Sequence, residues 1–288
     1  MKKLGFIGGG NMAEALARGL LQKKVFAPSD LIASDVDPGR RRKLARQLKI
    51  KTTDSNLEVL REARVLLLAV KPQTIDEVLA ELAAELAAAM NPPAPSTDGA
   101  KRASGIKPAG RLFISIAAGI TLGRLTAALG KRVIRVMPNA PAMVGQGMAA
   151  MVGAPGAGKA DQAFALRIFR AVGDAVALSE EGLLDAVTAL SGSGPAYVYL
   201  FVKALADAAV SEGLPPELAA RMALKTIRGA EENMRQSDLS PAELIRIVAS
   251  PGGTTEAALR KFAETGFSDI VAHAIHAAAE RSRELGRA

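Results

Sequence analysis

Cysteine is absent from the 288 residues, and histidine occurs only twice, at His273 and His276. The absence of cysteine excludes disulfides, zinc–thiolate sites, iron–sulfur clusters and cysteine nucleophiles. With so few histidines, neither a histidine-based catalytic triad nor a multi-histidine metal centre is expected. The sequence therefore predicts a site without a metal.

Tryptophan is also absent, and aromatic residues make up only 3% of the chain. Proteins that bind single-stranded nucleic acids stack the bases on aromatic side chains, so this class is disfavoured despite a net charge of +8. The lysines and arginines are scattered, apart from a run at 40–42 and a basic loop around Lys101. This pattern indicates a solvated surface, and we expect no nucleic-acid partner.

Long apolar runs are missing as well. The uncharged stretch at 136–158 contains three prolines and several glycines, which forbid a continuous membrane helix. The apolar run at 4–7 is interrupted at once by three glycines, unlike a secretion signal. We expect a soluble, cytoplasmic chain with no membrane partner.

Short apolar runs alternate with helical patterns in the first part of the chain. The uninterrupted run at 65–70 is typical of a parallel strand that is buried on both faces. The alternation predicts an α/β fold with an N-terminal doubly wound, Rossmann-type parallel sheet. The predicted strands lie at 4–7, 31–33, 65–70, 112–116 and 133–137, and the predicted helices between them at 11–22, 38–48 and 74–90.

Strand signals disappear after about residue 183. The helix predicted at 196–211 is apolar around most of its circumference, which indicates burial, and a second subunit could cover it. We therefore predict a Rossmann-like domain at 1–178, with a flexible insertion at 91–110. An all-α dimerisation and substrate domain follows at 179–288, and the expected assembly is a homodimer or a larger oligomer built from dimers.

A glycine-rich loop directly follows the first predicted strand. Gly8, Gly10 and Ala13 satisfy the pattern G-x-G-x-x-A, in which the glycines permit a tight turn and a close approach of the backbone to a pyrophosphate. The strand–turn–helix setting favours dinucleotide binding over a purely structural turn. The predicted contacts with the cofactor are Ile7, Gly8, Gly9, Gly10, Asn11 and Met12.

The choice of cofactor depends on residues after the second predicted strand. Ser34 and Asp35 follow that strand, and an acid here favours NADH by accepting a hydrogen bond from the ribose. The arginines at 40–42 favour NADPH, because they can pair with its 2′-phosphate. The sequence contains both signals. We predict NADPH, and NADH stays an open alternative.

Four further segments add to this loop: AVKP at 69–72, RVMPNAP at 135–141, LSGSGPAY at 190–197 and SPGGTT at 250–255. In this order and over nearly the whole chain, the sequence resembles the pyrroline-5-carboxylate reductase family. The resemblance implies hydride transfer from NAD(P)H to a cyclic imine carboxylate, giving L-proline, at a site between the two domains. It also implies dimerisation through the helical domain. Further cofactor contacts implied by it are Asn56, Ala69, Val70, Lys71, Pro72, Ala117 and Gly119.

The segment at 250–255 is the predicted substrate site. Its two glycines are expected to expose backbone N–H groups for the carboxylate of the substrate. The resemblance implies that Thr255 is the catalytic hydroxyl beside the ring nitrogen. The alternative is a purely structural role, in which Thr254 or Thr255 caps a helix. The predicted substrate contacts are Ser250, Gly252, Gly253, Thr254 and Thr255, together with Asn139 and Glu181.

Two other functions stay open at this stage. One is a related two-domain imine reductase or a 3-hydroxy acid dehydrogenase. The dehydrogenase would be expected to place a catalytic lysine on the helical domain. The other is a nucleotide-binding regulator without catalytic activity. The intact segment at 250–255 argues against a regulator, because a sensor needs no hydroxyl to hold an imine.

Overall fold

A computed structural model describes residues 1–90 and 110–287. The insertion predicted at 91–110 lies outside the described residues except for Gly110. The chain forms two compact units, one comprising Met1–Gly192 with Ala279–Ala288 and the other Ser193–Ala278. Each unit is described by itself below.

The first unit is built on an eight-stranded sheet with the order β3-β2-β1-β4-β5-β6-β7-β8. The first six strands run parallel, β7 runs antiparallel to β6, and β8 runs parallel to β7. This arrangement confirms the predicted Rossmann-type sheet. The strands are β1 (Lys2–Ile7), β2 (Leu31–Ser34), β3 (Lys51–Thr53), β4 (Ala63–Leu68), β5 (Leu112–Ser115), β6 (Val133–Pro138), β7 (Gly147–Gly153) and β8 (Gly173–Ala177).

Helices cover the sheet on both faces and separate two apolar cores. Leu4, Phe6 and Leu67 belong to one core, and Leu66, Leu68 and other residues of the same strands belong to the second. Alternate side chains of a strand point to opposite faces, so a strand with a core on each face must be apolar throughout. The helices of the sheet region are α1 (Asn11–Gln22), α2 (Pro38–Leu48), α3 (Asn56–Glu62), α4 (Ile75–Met90), α5 (Leu122–Leu129) and α6 (Lys159–Phe169).

In the part of the chain described after β8, up to residue 287, the regular elements are all helical. They are α7 (Leu183–Val187), α8 (Gly194–Ser211), α9 (Pro216–Gln236), α10 (Pro241–Val248), α11 (Thr254–Glu264) and α12 (Phe267–Arg287). The change from strands to helices after Ala177 lies next to the predicted domain boundary at 178, whereas the first compact unit continues to Gly192.

The second unit exposes an unusual amount of apolar surface for a single chain. No residue of α8 is buried, although its sequence is apolar around most of the helix. Leu200 and Ile247 are each 67% exposed, and Tyr199 is 66% exposed. Apolar surface of this extent is typical of a protein interface. Among the described residues, no helix has both the length and the apolar character needed to cross a membrane.

Candidate active site

The turn after β1 has a backbone conformation that favours glycine at its first position. Gly8 has φ +96°, and a β-carbon placed there would lie 2.8 Å from the backbone carbon and oxygen of Ala69. The loop is tied to its neighbours by hydrogen bonds from Gly8 N–H to Ser34 O and from Ala69 N–H to Ile7 O. Gly8 is therefore required by the close packing of the loop against the end of β4.

Gly10 has the opposite environment. It is the N-cap of α1 and has ordinary extended dihedral angles, and a β-carbon placed there meets no described atom within 4 Å. No side chain caps the helix, so the N–H groups of its first turn remain available as donors. An open approach and free donors at a helix N-terminus fit the pyrophosphate of a dinucleotide.

Asp35, at the end of β2, holds the glycine loop from its other side. Its Oδ2 accepts a hydrogen bond from Gly9 N–H at 2.8 Å, and its Oδ1 accepts one from Asp37 N–H at 2.9 Å. Arg41 donates from Nη1 to the carbonyl oxygens of Asp35 and Val36. The carboxylate thus has a structural role in addition to the ribose contact predicted for it.

A chain of polar side chains runs from β2 to α4. The buried hydroxyl of Ser34 donates to Oδ1 of Asn56 at 2.7 Å, and Nδ2 of Asn56 donates to Oε2 of Glu81 at 2.8 Å. These contacts fix which side of the Asn56 amide faces β2. The sequence did not single out Glu81, because it is one of several acidic residues of α4. The structure shows that it orients the side chain of Asn56.

The remaining predicted cofactor residues also follow parallel strands. Ala69, Val70, Lys71 and Pro72 come after β4, and Ala117 and Gly119 come after β5. Because β1, β2, β4 and β5 run parallel, these segments reach the same carboxyl edge of the sheet as the glycine loop. Gly119 has φ +75°, and a β-carbon placed there would lie 3.2 Å from Cβ of Leu285 in α12. The structure therefore brings together the predicted cofactor residues along one edge.

Asn139 lies directly after β6, and both the nitrogen and the oxygen of its side-chain amide form hydrogen bonds within the chain. Nδ2 donates to the backbone oxygen of Ser191 at 3.2 Å and to its Oγ at 3.1 Å, and Oδ1 accepts from Met148 N–H at 2.8 Å. Ser191 belongs to a single π-helical turn, Thr188–Gly192, that precedes α8. Asn139 thus fixes this turn against β6 and β7, and its predicted contact with the ligand stays a prediction.

Glu181 is held inside the first unit. Its Oε1 accepts from Nη1 of Arg135 at 2.6 Å and from Leu122 N–H at 2.7 Å. Arg135 lies on β6 and is only 8% exposed, so its charge depends on this counterion. The substrate contact predicted for Glu181 stays a prediction, and the structure adds a structural role that the sequence did not reveal.

We expect Glu181→Gln to lower the free energy of unfolding by about 1–3 kcal/mol, because it leaves the buried Arg135 cation without its counterion. Urea denaturation would measure the change, and Glu180→Gln, at an exposed neighbouring position, is the matched control. Unchanged stability with a raised KM for the imine would contradict the structural role and support the substrate contact.

The segment at 250–255 lies in the second unit and forms a tight turn before α11. Gly252 has φ +70°, and Gly253 is the N-cap of the helix without any side-chain hydrogen bond. Gly253 N–H donates to Ser250 O at 2.9 Å, and Gly252 N–H donates to Oε2 of Glu256 at 2.6 Å. Thr254 and Thr255 are the first two residues of the helix.

This geometry corrects two expectations. The glycine N–H groups are not free, because the turn closes one of them onto Ser250 and Glu256 folds back onto the other. The alternative that Thr254 or Thr255 caps the helix is also wrong, since Gly253 occupies that position. The donors left for an anion are the N–H groups of the first turn of α11, and the partly exposed hydroxyl of Thr255 makes no hydrogen bond with any described residue.

The two histidines lie on α12 and are exposed. Among residues 1–90 and 110–287, no three histidine, aspartate or glutamate side chains come together in a way that could hold a metal ion.

The parallel sheet, the glycine turn and the open N-terminus of α1 define the class of Rossmann-type dinucleotide-binding proteins. Comparison with known families agrees with this class. Residues 3–90 match the family described as NADP oxidoreductase, coenzyme F420-dependent, and residues 181–285 match the one described as pyrroline-5-carboxylate reductase dimerisation.

Individual relatives are similar over almost the entire chain. A pyrroline-5-carboxylate reductase of Synechocystis is 40% identical over 286 residues, which cover 99% of this chain and 98% of the relative. The structure of the Coxiella burnetii enzyme has a TM-score of 0.85 at 32% identity, covering 99% of this chain and 98% of that chain. The Plasmodium falciparum pyrroline carboxylate reductase, solved with NADP bound, has a TM-score of 0.81 at 30% identity, with the same coverage. The chain belongs to the pyrroline-5-carboxylate reductase family.

Proposed function

We propose that this chain reduces 1-pyrroline-5-carboxylate to L-proline with NADPH. The observation that carries the proposal is the glycine loop, where free helix N–H groups and the open space at Gly10 fit a dinucleotide. Membership of the family adds the reaction, and the NADP bound to the Plasmodium relative supports the choice of cofactor. The competing dehydrogenase and regulator functions have no comparable support.

The reaction suits the residue types in this chain. NADPH held at the glycine loop would supply a hydride for the carbon of the C=N bond, and the nitrogen would keep the proton of the iminium form. Because the iminium can bind already protonated, no strong general acid is needed. The chain must instead hold the carboxylate and fix the orientation of the ring.

We assign these two tasks to the segment at 250–255. Backbone N–H groups in the first turn of α11 are donors for the substrate carboxylate, with Ser250, Gly252 and Gly253 shaping the turn around it. The unpaired hydroxyl of Thr255 is the hydrogen-bonding group for the ring nitrogen. Thr254 is the neighbouring substrate contact.

We further propose a homodimer, or a larger assembly of dimers, formed through the second unit. The exposed apolar side chains of α8 and α10 support this, because an interface would remove them from water. The match of residues 181–285 to a dimerisation family points the same way. The cytoplasmic location stays a prediction.

Asp35→Asn should raise the ratio of kcat/KM for NADPH to that for NADH by about tenfold, because it removes a negative charge near the predicted 2′-phosphate position. The asparagine keeps one oxygen acceptor, which can serve Gly9 N–H and hold the loop, and the hydrogen bond from Asp37 N–H is lost. Asp37→Asn removes a neighbouring exposed charge and keeps the cap of α2, which makes it the matched control. Equal ratios in both variants would show that Asp35 does not discriminate between the cofactors.

The direct test follows the absorbance of reduced nicotinamide in the presence of 1-pyrroline-5-carboxylate, with NADPH and NADH in parallel. Oxidation that depends on the substrate and yields proline supports the proposal, and the ratio of the two rates gives the preference. If the cofactor binds but no oxidation occurs, the substrate is another imine or the protein is a regulator.

A further inference from the structure

A buried arginine at the amino edge of the sheet lacks a counterion. Arg111 directly precedes β5 and is 7% exposed. It donates from Nε to Leu60 O at 3.2 Å and from Nη2 to Arg61 O at 3.5 Å, whereas its Nη1 is buried without a hydrogen-bond partner. No carboxylate pairs with it in the described part of the chain. Burial lowers the pKa of Arg111, as expected for a guanidinium removed from water without an anion.

Such an arrangement is costly in a folded protein. Buried cations are normally paired, and a buried donor without a partner calls for an explanation such as a bound ion. The two carbonyl contacts hold the guanidinium in a fixed orientation but do not neutralise it. The fold therefore keeps a preorganised positive charge at this position.

Arg111 lines a cavity of about 720 Å³ together with a second unpaired cation. Arg64, near the start of β4, is exposed and makes no ion pair with any described residue. The third arginine, Arg132, is already neutralised, since its guanidinium binds both carboxylate oxygens of Asp161. Among its described lining residues, the cavity thus has two arginines without an ion pair and no free carboxylate.

The cavity is separate from the cofactor loop. Arg64 and Arg111 lie where β4 and β5 begin, and the glycine loop lies where β1 ends. A strand of six residues places these two edges roughly 20 Å apart. An anion in the cavity therefore cannot be the pyrophosphate held by the glycine loop.

We propose that this cavity binds a phosphate group, either as free inorganic phosphate or as part of a phosphorylated metabolite. A dianion matches the two unpaired arginines in charge, and the guanidinium of Arg64, which makes no ion pair with a described residue, can donate to phosphate oxygens. The volume lies in the range of small-molecule sites and leaves room for an organic portion. The site is additional to the reductase function and does not depend on it.

The test measures the thermal midpoint of the full chain against inorganic phosphate, with sodium chloride at equal ionic strength as the reference. Saturating NADP⁺ is present throughout to keep the cofactor loop occupied. Binding to the native state raises the midpoint in a saturable way, from which a Kd follows. We expect Arg64→Ala to weaken the Kd about tenfold or more, because a charge-assisted hydrogen bond is lost.

Arg61→Ala is the matched control, since Arg61 is an exposed arginine nearby that pairs with Glu85 and does not line the cavity. Arg111→Met should also abolish the phosphate response, and Arg64→Ala keeps the test valid if that buried variant fails to fold. A parallel titration with glycerol 3-phosphate distinguishes the sources: tighter binding than phosphate indicates a phosphate ester, and weaker binding indicates the free ion. No saturable response beyond sodium chloride, or equal Kd values in the Arg64 and Arg61 variants, would overturn the proposal.

Discussion

Gly10→Val is expected to abolish binding of NADPH while leaving the protein folded. The space around Gly10 is open in the structure, and a β-carbon placed there meets no described atom within 4 Å. It would instead occupy the position from which a pyrophosphate reaches the N–H groups of α1. Loss of two charge-assisted hydrogen bonds alone corresponds to a Kd weaker by roughly 100-fold or more.

The stability of this variant should change little. Gly10 has dihedral angles that valine adopts without strain, and the loss of a preferred N-cap residue costs about 1 kcal/mol. Fluorescence titration with NADPH and a urea denaturation curve would measure the two effects separately. Tight binding of NADPH by the Gly10 variant would show that the loop does not hold the pyrophosphate.

Gly8→Ala provides the contrasting control. We expect this substitution in the same loop to lower the stability of the protein. Gly8 has a positive φ, and a β-carbon would lie 2.8 Å from the backbone of Ala69. Strain and overlap should therefore lower the free energy of unfolding by about 2 kcal/mol or more. The pair distinguishes a glycine needed for the fold from one needed for the ligand.

The sequence predicted those elements whose apolar pattern or glycine positions leave few alternatives. The uninterrupted apolar run at 65–70 is typical of a buried strand, and β4 lies at Ala63–Leu68. β7 was missed because Gly147, Ala149 and Ala150 give it a weak strand propensity. Its place in the sheet comes from antiparallel pairing with β6, the strand that precedes it in the chain.

The candidate site shows the same division between local and long-range information. The glycine loop was predictable because its chemistry depends on consecutive residues. Partners such as Glu81 for Asn56 and Arg135 for Glu181 are 25 and 46 residues apart, and nothing in the sequence pairs them. The two glycine N–H groups before α11 were expected to be free, and only the structure shows that Ser250 and Glu256 occupy them.

Thr255→Val should reduce kcat/KM for 1-pyrroline-5-carboxylate by a factor that corresponds to about 1–3 kcal/mol, the range for leaving a polar partner unpaired. Valine has nearly the same shape as threonine, and both are β-branched, so α11 should form as before. The hydroxyl makes no hydrogen bond with the described residues, which means that its removal leaves no donor of the protein unsatisfied. The loss should therefore appear in the reaction and not in the stability.

Steady-state kinetics of Thr255→Val and Thr255→Ser, with NADPH saturating, separate the hydroxyl from the rest of the side chain. Serine keeps the hydroxyl and should retain most of the activity, because the methyl group it lacks has no part in binding the ring nitrogen. The KM for NADPH should be unchanged in both variants, since the predicted cofactor contacts lie on the first unit. If valine and serine lower kcat/KM equally, the methyl group matters and not the hydroxyl, and Thr255 loses its assigned role in holding the imine for hydride transfer.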